Sequence, residues 1–112
     1  AALRNVIKTV NKRTSAGNQS SSIQTTQDKL FLLSEIEIFG ATTYSFAGEG
    51  TQYEYYAAGN TTIKKVNGSA TNWWERSPRS EGATSFCYVG SSGGASHYAA
   101  SASIGVSFGF CV

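Results

Sequence analysis

The apolar residues of this chain fall in short runs that mostly alternate with polar ones, and turn residues separate the runs. Val6, Ile7 and Val10, with Lys8 and Lys12 on the alternate face, predict a strand over residues 5–14. Residues 15–27 are polar, with Gly17-Asn18 and a serine run, and predict a loop or a loosely held extended segment. Residues 29–33 form a short apolar run, the pattern of a buried central strand. Ser34 opens a helix. With Glu37 three residues on it forms a capping box, Ile36 and Phe39 face inward, and Gly40 stands at the stop. Thr51 and Glu54 repeat that spacing and predict a second short helix, with Tyr53, Tyr56 and Ala57 on one face and Gly59-Asn60 at its end.

Residues 63–66 predict a short strand closed by an Asn67-Gly68 turn. Residues 72–77 predict another, whose adjacent Trp73 and Trp74 point to opposite sides, one into the core and one onto a second surface. Pro78 ends its pairing. Residues 85–89 place Cys87 and Val89 on one strand face and Phe86 and Tyr88 on the other. A turn at residues 91–94 returns residues 95–99 as a hairpin partner, and residues 100–104 form a loop. Val106, Phe108, Phe110 and Val112 alternate with Ser107, Gly109 and Cys111, a strand with one strongly apolar face. The sum is an α+β domain: a small mixed, mainly antiparallel sheet, two short helices and long loops. Residues 1–27 read as an N-terminal strand and polar connecting segment, and residues 28–112 as the main body of what is, at 112 residues, a single domain.

Composition removes several function classes. The net charge is +2 and the basic residues do not cluster, so no nucleic-acid footprint is expected. Lys8, Lys12, Arg13, Lys64 and Lys65 read as solubilising charges on strand faces or turns. No apolar run is long enough to span a membrane, and no basic-then-apolar leader opens the chain. Met is absent even at position 1, so the chain reads as a mature product or a piece cut from a longer protein. Cys87 and Cys111 either pair across neighbouring strands or pack as buried thiols. One His and two distant Cys make no zinc site, and no acidic cluster makes a calcium loop, so neither metal nor cofactor is expected.

From Gly82 to Val112 there is no Asp, Glu, Lys or Arg. A surface of that length ordinarily carries several charges. Here Tyr88, His97 and Tyr98 stand among Gly, Ser and Ala, the chemistry of a binding surface in which Tyr gives contact area and small residues give adaptable hydrogen bonds. Trp73-Trp74 has two readings, a platform for sugar rings or core packing. Arg76 buttresses the site by bonding loop carbonyls or by pairing with Glu75 or Glu81. No carboxylate near His97 in sequence orients it beside a nucleophile, which leaves only a long-range Cys87–His97 or Cys111–His97 pair. Glu49, Glu54, Glu75 and Glu81 supply carboxylates for a glycan hydrolase, but in no recognisable arrangement.

Several separated motifs then converge: Asp28-Lys-Leu-Phe-Leu-Leu-Ser-Glu-Ile-Glu-Ile-Phe-Gly40, Glu49-Gly-Thr-Gln-Tyr53, Trp73-Trp-Glu-Arg-Ser-Pro78, Phe86-Cys-x-Val89, Gly93, and Gly105-Val-Ser-Phe-Gly-Phe-Cys-Val112. Across residues 28–112 the chain resembles a domain of unknown function that recurs in surface proteins of gut Clostridia and in their phages. Such members in turn resemble the variable proteins of diversity-generating retroelements. Glu75 departs from that pattern, which more often has an aliphatic residue there, and Ser107-Phe108 stands where Arg-Pro or Ala-Pro is frequent.

The resemblance implies a C-type-lectin-like fold that displays hypervariable residues. Adenine-directed mutagenesis of Asn codons leaves Tyr, Ser, Gly, Ala, His, Thr, Asp, Ile and Val, and residues 79–104 contain no Asn. The ligand-binding residues it implies are Arg79, Glu81, Thr84, Ser85, Tyr88, Gly90, Ser92, Gly94, Ser96, His97, Tyr98, Ala99, Ser101, Ala102 and Ile104. The implied function is non-enzymatic binding of a bacterial cell-surface protein or glycan receptor. The chain would act as a homo-oligomer or as part of a larger assembly on a phage tail, a capsid or a bacterial surface, without nucleic acid and without membrane insertion. The alternative is a structural virion decoration or tail module whose uncharged face packs on neighbouring subunits.

Overall fold

A computed structural model describes residues 5–111. In chain order the elements are β1 (Val10–Gly17), β2 (Ser20–Asp28), β3 (Phe31–Leu32), α1 (Glu35–Phe39), α2 (Glu54–Ala57), β4 (Lys64–Val66), β5 (Ser69–Thr71), β6 (Trp73–Pro78), β7 (Ser85–Val89), β8 (Ala95–Ala99) and β9 (Phe108–Gly109). The architecture is α+β, with every strand pair antiparallel: β1 with β2, β3 with β9, β4 with β5, and a three-stranded sheet ordered β6-β7-β8. Among the described residues one isolated bridge, Trp73 to Gly105, is parallel. No helix among the described residues is long and apolar enough to cross a membrane.

The core is small and aromatic. Phe31, Leu33, Ile38, Trp73 and Val89 form it, with Val10, Phe39, Tyr53 and Tyr56 packed around them. Trp73 is fixed further by its indole N–H, which donates to Thr62 O at 3.0 Å. Ser34 caps α1 as expected. Its hydroxyl accepts the Glu37 N–H, Glu37 Oε1 accepts the Ser34 N–H at 2.9 Å, and Gly40 closes the helix in the left-handed region at φ 70°. Within that helix Ile38 is the core residue, and Ile36 and Phe39 are only partly buried. The five-residue helix also turns Glu35 and Glu37 inward, where both carboxylates find hydrogen bonds. Thr51 does not cap α2, which starts later, from Tyr53, without a side-chain cap. The Asn67-Gly68 hairpin forms as expected, both residues at positive φ, 51° and 83°.

Further expectations are corrected in whole or in part. The first strand begins at Val10, while Asn5 and Val6 take helical backbone. Of the two readings of residues 15–27 the extended one holds and the loop does not: they form the end of β1 and most of β2, firmly paired from Val10↔Asp28 to Ser15↔Ile23. Of residues 29–33 only Phe31 and Leu32 join a sheet, and the side chain of Leu30 is exposed. The C-terminal strand is reduced to Phe108–Gly109, and its apolar face points outward: Val106, Phe108 and Phe110 are 65%, 57% and 42% exposed. Gly109 explains the inversion. A Cβ there would meet Phe31 Cε2 at 3.2 Å, so β9 lies on Phe31 and Leu33 with its small side. Val112 lies outside the described residues. Cys87 and Cys111 are both free thiols, the first buried and the second exposed.

Candidate functional site

The β6-β7-β8 sheet has two unlike faces. Register pairs Trp74 with Tyr88, Tyr88 with Ser96, and Phe86 with Tyr98. Residues directly opposite share a face, so Trp74, Phe86, Tyr88, Ser96 and Tyr98 stand together on the outer side. The rings of Trp74 and Tyr88 meet edge to face, centroids 6.1 Å apart at 82°. Phe86 is 38% and Tyr98 57% exposed. Beside them Leu32, Trp74, Glu75, Arg76, Phe86 and Ala100 line a cleft of about 360 Å³.

The inner side carries Trp73, Ser77, Cys87 and Val89, all at or near complete burial. His97 belongs to this side, opposite Cys87 in register, with its ring against Tyr44 at 4.8 Å. The sequence grouped Tyr88, His97 and Tyr98; the sheet separates the histidine from the two tyrosines because residues 97 and 98 are neighbours on one strand. Ser85 and Ala99 also fall on the inner side by register. Gly90, Ser92 and Gly94 lie at the β7–β8 turn, where the Gly90 N–H donates to Gly94 O at 2.8 Å and Thr62 Oγ1 donates to Gly93 O at 2.6 Å. Arg79, Glu81 and Thr84 lie at the opposite end, with Ser101, Ala102 and Ile104 in the segment that follows β8. Arg79 and Glu81 approach only to 3.9 Å on an exposed surface, a contact of little energetic weight. Of the fifteen expected residues, Tyr88, Ser96 and Tyr98 therefore share the outer face. Trp74 and Phe86 complete it; parity with Tyr88 along one strand was the sequence signal for Phe86, and the opposed Trp73-Trp74 pair pointed to a second surface without saying which ring covers it.

Arg76 holds the framework beneath this face. Its Nε and Nη2 donate to Arg13 O, its Nη1 to Leu32 O and to Glu37 Oε1 at 2.6 Å, and its Nη2 also to Glu49 O at 2.7 Å. One guanidinium thus ties β1, β3, α1 and the loop before α2 to β6, a geometry that a lysine ammonium cannot reproduce. The expected partners Glu75 and Glu81 are not used. Glu37 takes a second cation, Lys12, at 2.6 Å. Lys12 is 8% exposed, donates also to Tyr53 Oη and lies 4.2 Å above the Phe31 ring, so it is a core cation and not a solubilising one. Burial pushes the Glu37 carboxyl up, but hydrogen bonds from Arg76, Lys12 and the Ser34 N–H outweigh it and hold the group below its ordinary 4.5. Lys12, Glu37, Glu49, Tyr53 and Arg76 help line a cleft of about 430 Å³ in which Lys12 and Arg76 are already engaged by the protein itself.

Three further carboxyls lie inside. Glu35 accepts from Tyr44 N, Ser45 N and Ser45 Oγ. Glu49 accepts from Ser15 N and Ser77 Oγ. Glu75 is buried with neither oxygen hydrogen-bonded, and burial, reinforced by Glu35 and Glu49, pushes its carboxyl up to about 9. It is therefore neutral at pH 7. The same burial, with Glu75, Glu35 and Glu49 nearby, pushes the Cys87 thiol far up, so it packs as a neutral group beside His97 and not as a thiolate nucleophile. Glu49 and Glu75 open on different clefts, and Glu54 and Glu81 are exposed, so no two of the four candidate acids face each other across one cleft. Among the described residues no group of His, Cys, Asp and Glu is placed to hold a metal ion.

Neither the curated proteins nor the solved structures contain a match to this chain. One family does match, over residues 1–112, and it is described as a domain of unknown function (DUF6273). The chain belongs to the DUF6273 family.

Proposed function

We propose that this domain is a non-enzymatic ligand-binding module that carries exchangeable residues on its outer face, in the manner of retroelement-diversified variable proteins with a C-type-lectin-like fold. Its setting is a phage tail, a capsid or a bacterial surface, and its ligand a neutral patch of a cell-surface protein or glycan. One observation carries the reading: Trp74, Phe86, Tyr88 and Tyr98 share the outer face of a sheet whose inner face buries Trp73, Cys87 and Val89 in the core. Exposed aromatic side chains on rigid strands give large contact area at low entropic cost. No charged residue occurs from Gly82 onward, so recognition rests on stacking, shape and hydrogen bonds. Exchange at these positions leaves the core contacts of Trp73, Cys87 and Val89 alone.

The test is comparative. Copies of the domain from one genome should differ mainly at Tyr88, Ser96, Tyr98 and the two hairpin ends, beside a reverse transcriptase and a near-identical template repeat. Differences spread evenly over the inner and outer faces, with no template repeat, would count against diversification. The second reading, a virion decoration or tail module, draws on the outward strip of Val106, Phe108 and Phe110, an apolar surface suited to a neighbouring subunit. It predicts copies that are uniform at Tyr88, Ser96 and Tyr98.

A further inference from the structure

β2 is a long strand with an open edge. It bonds β1 along one edge and, among the described residues, no strand along the other. Residues 21–27 are exposed throughout. An open edge offers N–H and C=O groups to any extended chain, and proteins usually blunt such edges with Lys, Pro, a bulge or a covering segment. β2 reads Ser-Ser-Ser-Ile-Gln-Thr-Thr-Gln-Asp, with no Lys and no Pro, and the only irregularity of the pairing lies at the turn end, between Ser15 and Gly17.

We infer that the free edge of β2 pairs with the same edge of a second copy of this chain, antiparallel about a twofold axis at Gln24. The two hairpins then form one four-stranded sheet. Antiparallel self-pairing in this register sets Gln24 against Gln24, Ile23 against Thr25, Ser22 against Thr26, Ser21 against Gln27, and Ser20 against Asp28. No like charges oppose each other, and the one charged group meets a hydroxyl. Ile23 and Thr25 make a β-branched pair twice, on one face and on both sides of the axis, the kind of cross-strand contact that stabilises a sheet. The twofold closes the assembly at a dimer, because pairing uses up both free edges. A single-strand interface is small, so the contact is weak in free solution and gains strength where copies are already held close.

Sedimentation velocity over the micromolar to millimolar range tests this. The chain should show a monomer–dimer equilibrium. Gln24→Lys and Gln24→Glu each put like charges across the axis and should raise the dissociation constant about fivefold or more. An equimolar mixture of the two variants should restore association. Gln24 is exposed and faces Thr14 within the hairpin, so both variants should keep the parent's circular dichroism and Tm. A strictly monomeric wild type, a Gln24→Lys dimer as tight as the parent, or a mixture no tighter than either variant alone would each overturn the pairing.

Discussion

Arg76 Nη1 donates to Glu37 Oε1 at 2.6 Å, and this bond joins the sheet that carries the outer aromatic face to the helix that closes the core beneath it. Both side chains are nearly buried, and the guanidinium's other N–H groups go to backbone carbonyls of three further segments. Arg76→Lys keeps the charge but loses the fork. It should destabilise the domain by about 2–4 kcal/mol, read from the urea midpoint, since groups left unpaired in a buried network are costly. A loss within the scatter of ordinary surface substitutions would show that the network is incidental.

Glu75 predicts an alkaline weakness. Its folded carboxyl is raised from 4.5 to about 9, so the folded state binds a proton that the unfolded chain has released. The stability linked to this group is fully present below pH 4.5 and is lost as pH rises towards 9. Glu75→Gln should flatten the fall in Tm between pH 5 and pH 9, and Glu75→Leu should raise Tm at pH 8. Glu37 acts with the opposite sign. Its folded carboxyl is lowered, so its contribution is present above pH 4.5 and is lost as pH falls below that. Equal pH profiles for the parent and Glu75→Gln would contradict the assignment.

The two thiols should differ sharply in reactivity. Cys111 is exposed and Cys87 is sealed with its thiol held protonated. Under native conditions a maleimide should modify Cys111 alone, and Cys87 should react only after denaturant unfolds the chain, as mass spectrometry of the labelled peptides would show. Rapid native labelling of Cys87 would mean that the inner face opens.

Two glycines fix the loop around Glu37. Gly50 has φ 128°, and a Cβ there would meet Glu37 Oε2 at 2.9 Å; Gly40 has φ 70°, and a Cβ would meet Gln52 Oε1 at 2.7 Å. Gly50→Ala and Gly40→Ala should each cost more than about 1 kcal/mol in denaturant titrations. Gly59 has φ 87° but open space around it, so its Ala variant isolates the backbone part of the cost.

Local chemistry was legible in the chain and long-range capture of polar groups was not. Residues 85–89 and 95–99 appear as the hairpin that alternation predicts, because each residue there obeys the simple inner-outer rule. The Ser34 cap, the Gly40 stop and the Asn67-Gly68 turn depend on neighbours alone, and they form. Lys12, Glu35, Glu49 and Glu75 broke the rule, since a periodicity count treats every charge as solvent-facing. Nothing local says that Lys12 meets a carboxylate 25 residues away. β9 misled for the opposite reason. Its phenylalanines suggested the buried side, but close approach to Phe31 selects the glycine side. His97 was grouped with the tyrosines by residue type, and only strand parity parts them.

The account turns on whether the outer face can be exchanged without harm to the framework. A surface-displayed library randomised at Tyr88, Ser96 and Tyr98, challenged with protease and compared with one randomised at Trp73, Cys87 and Val89, measures this directly. Most members of the first library should resist cleavage like the parent, and few of the second should, because truncating a fully buried side chain costs about 2–5 kcal/mol. Tyr98 is exposed and Tyr88 and Ser96 are half-buried, outside the core, where substitutions cost less, down to roughly half a kcal/mol at an exposed position. Equal survival of the two libraries, or collapse of the first, would contradict a stiff scaffold with a replaceable outer face.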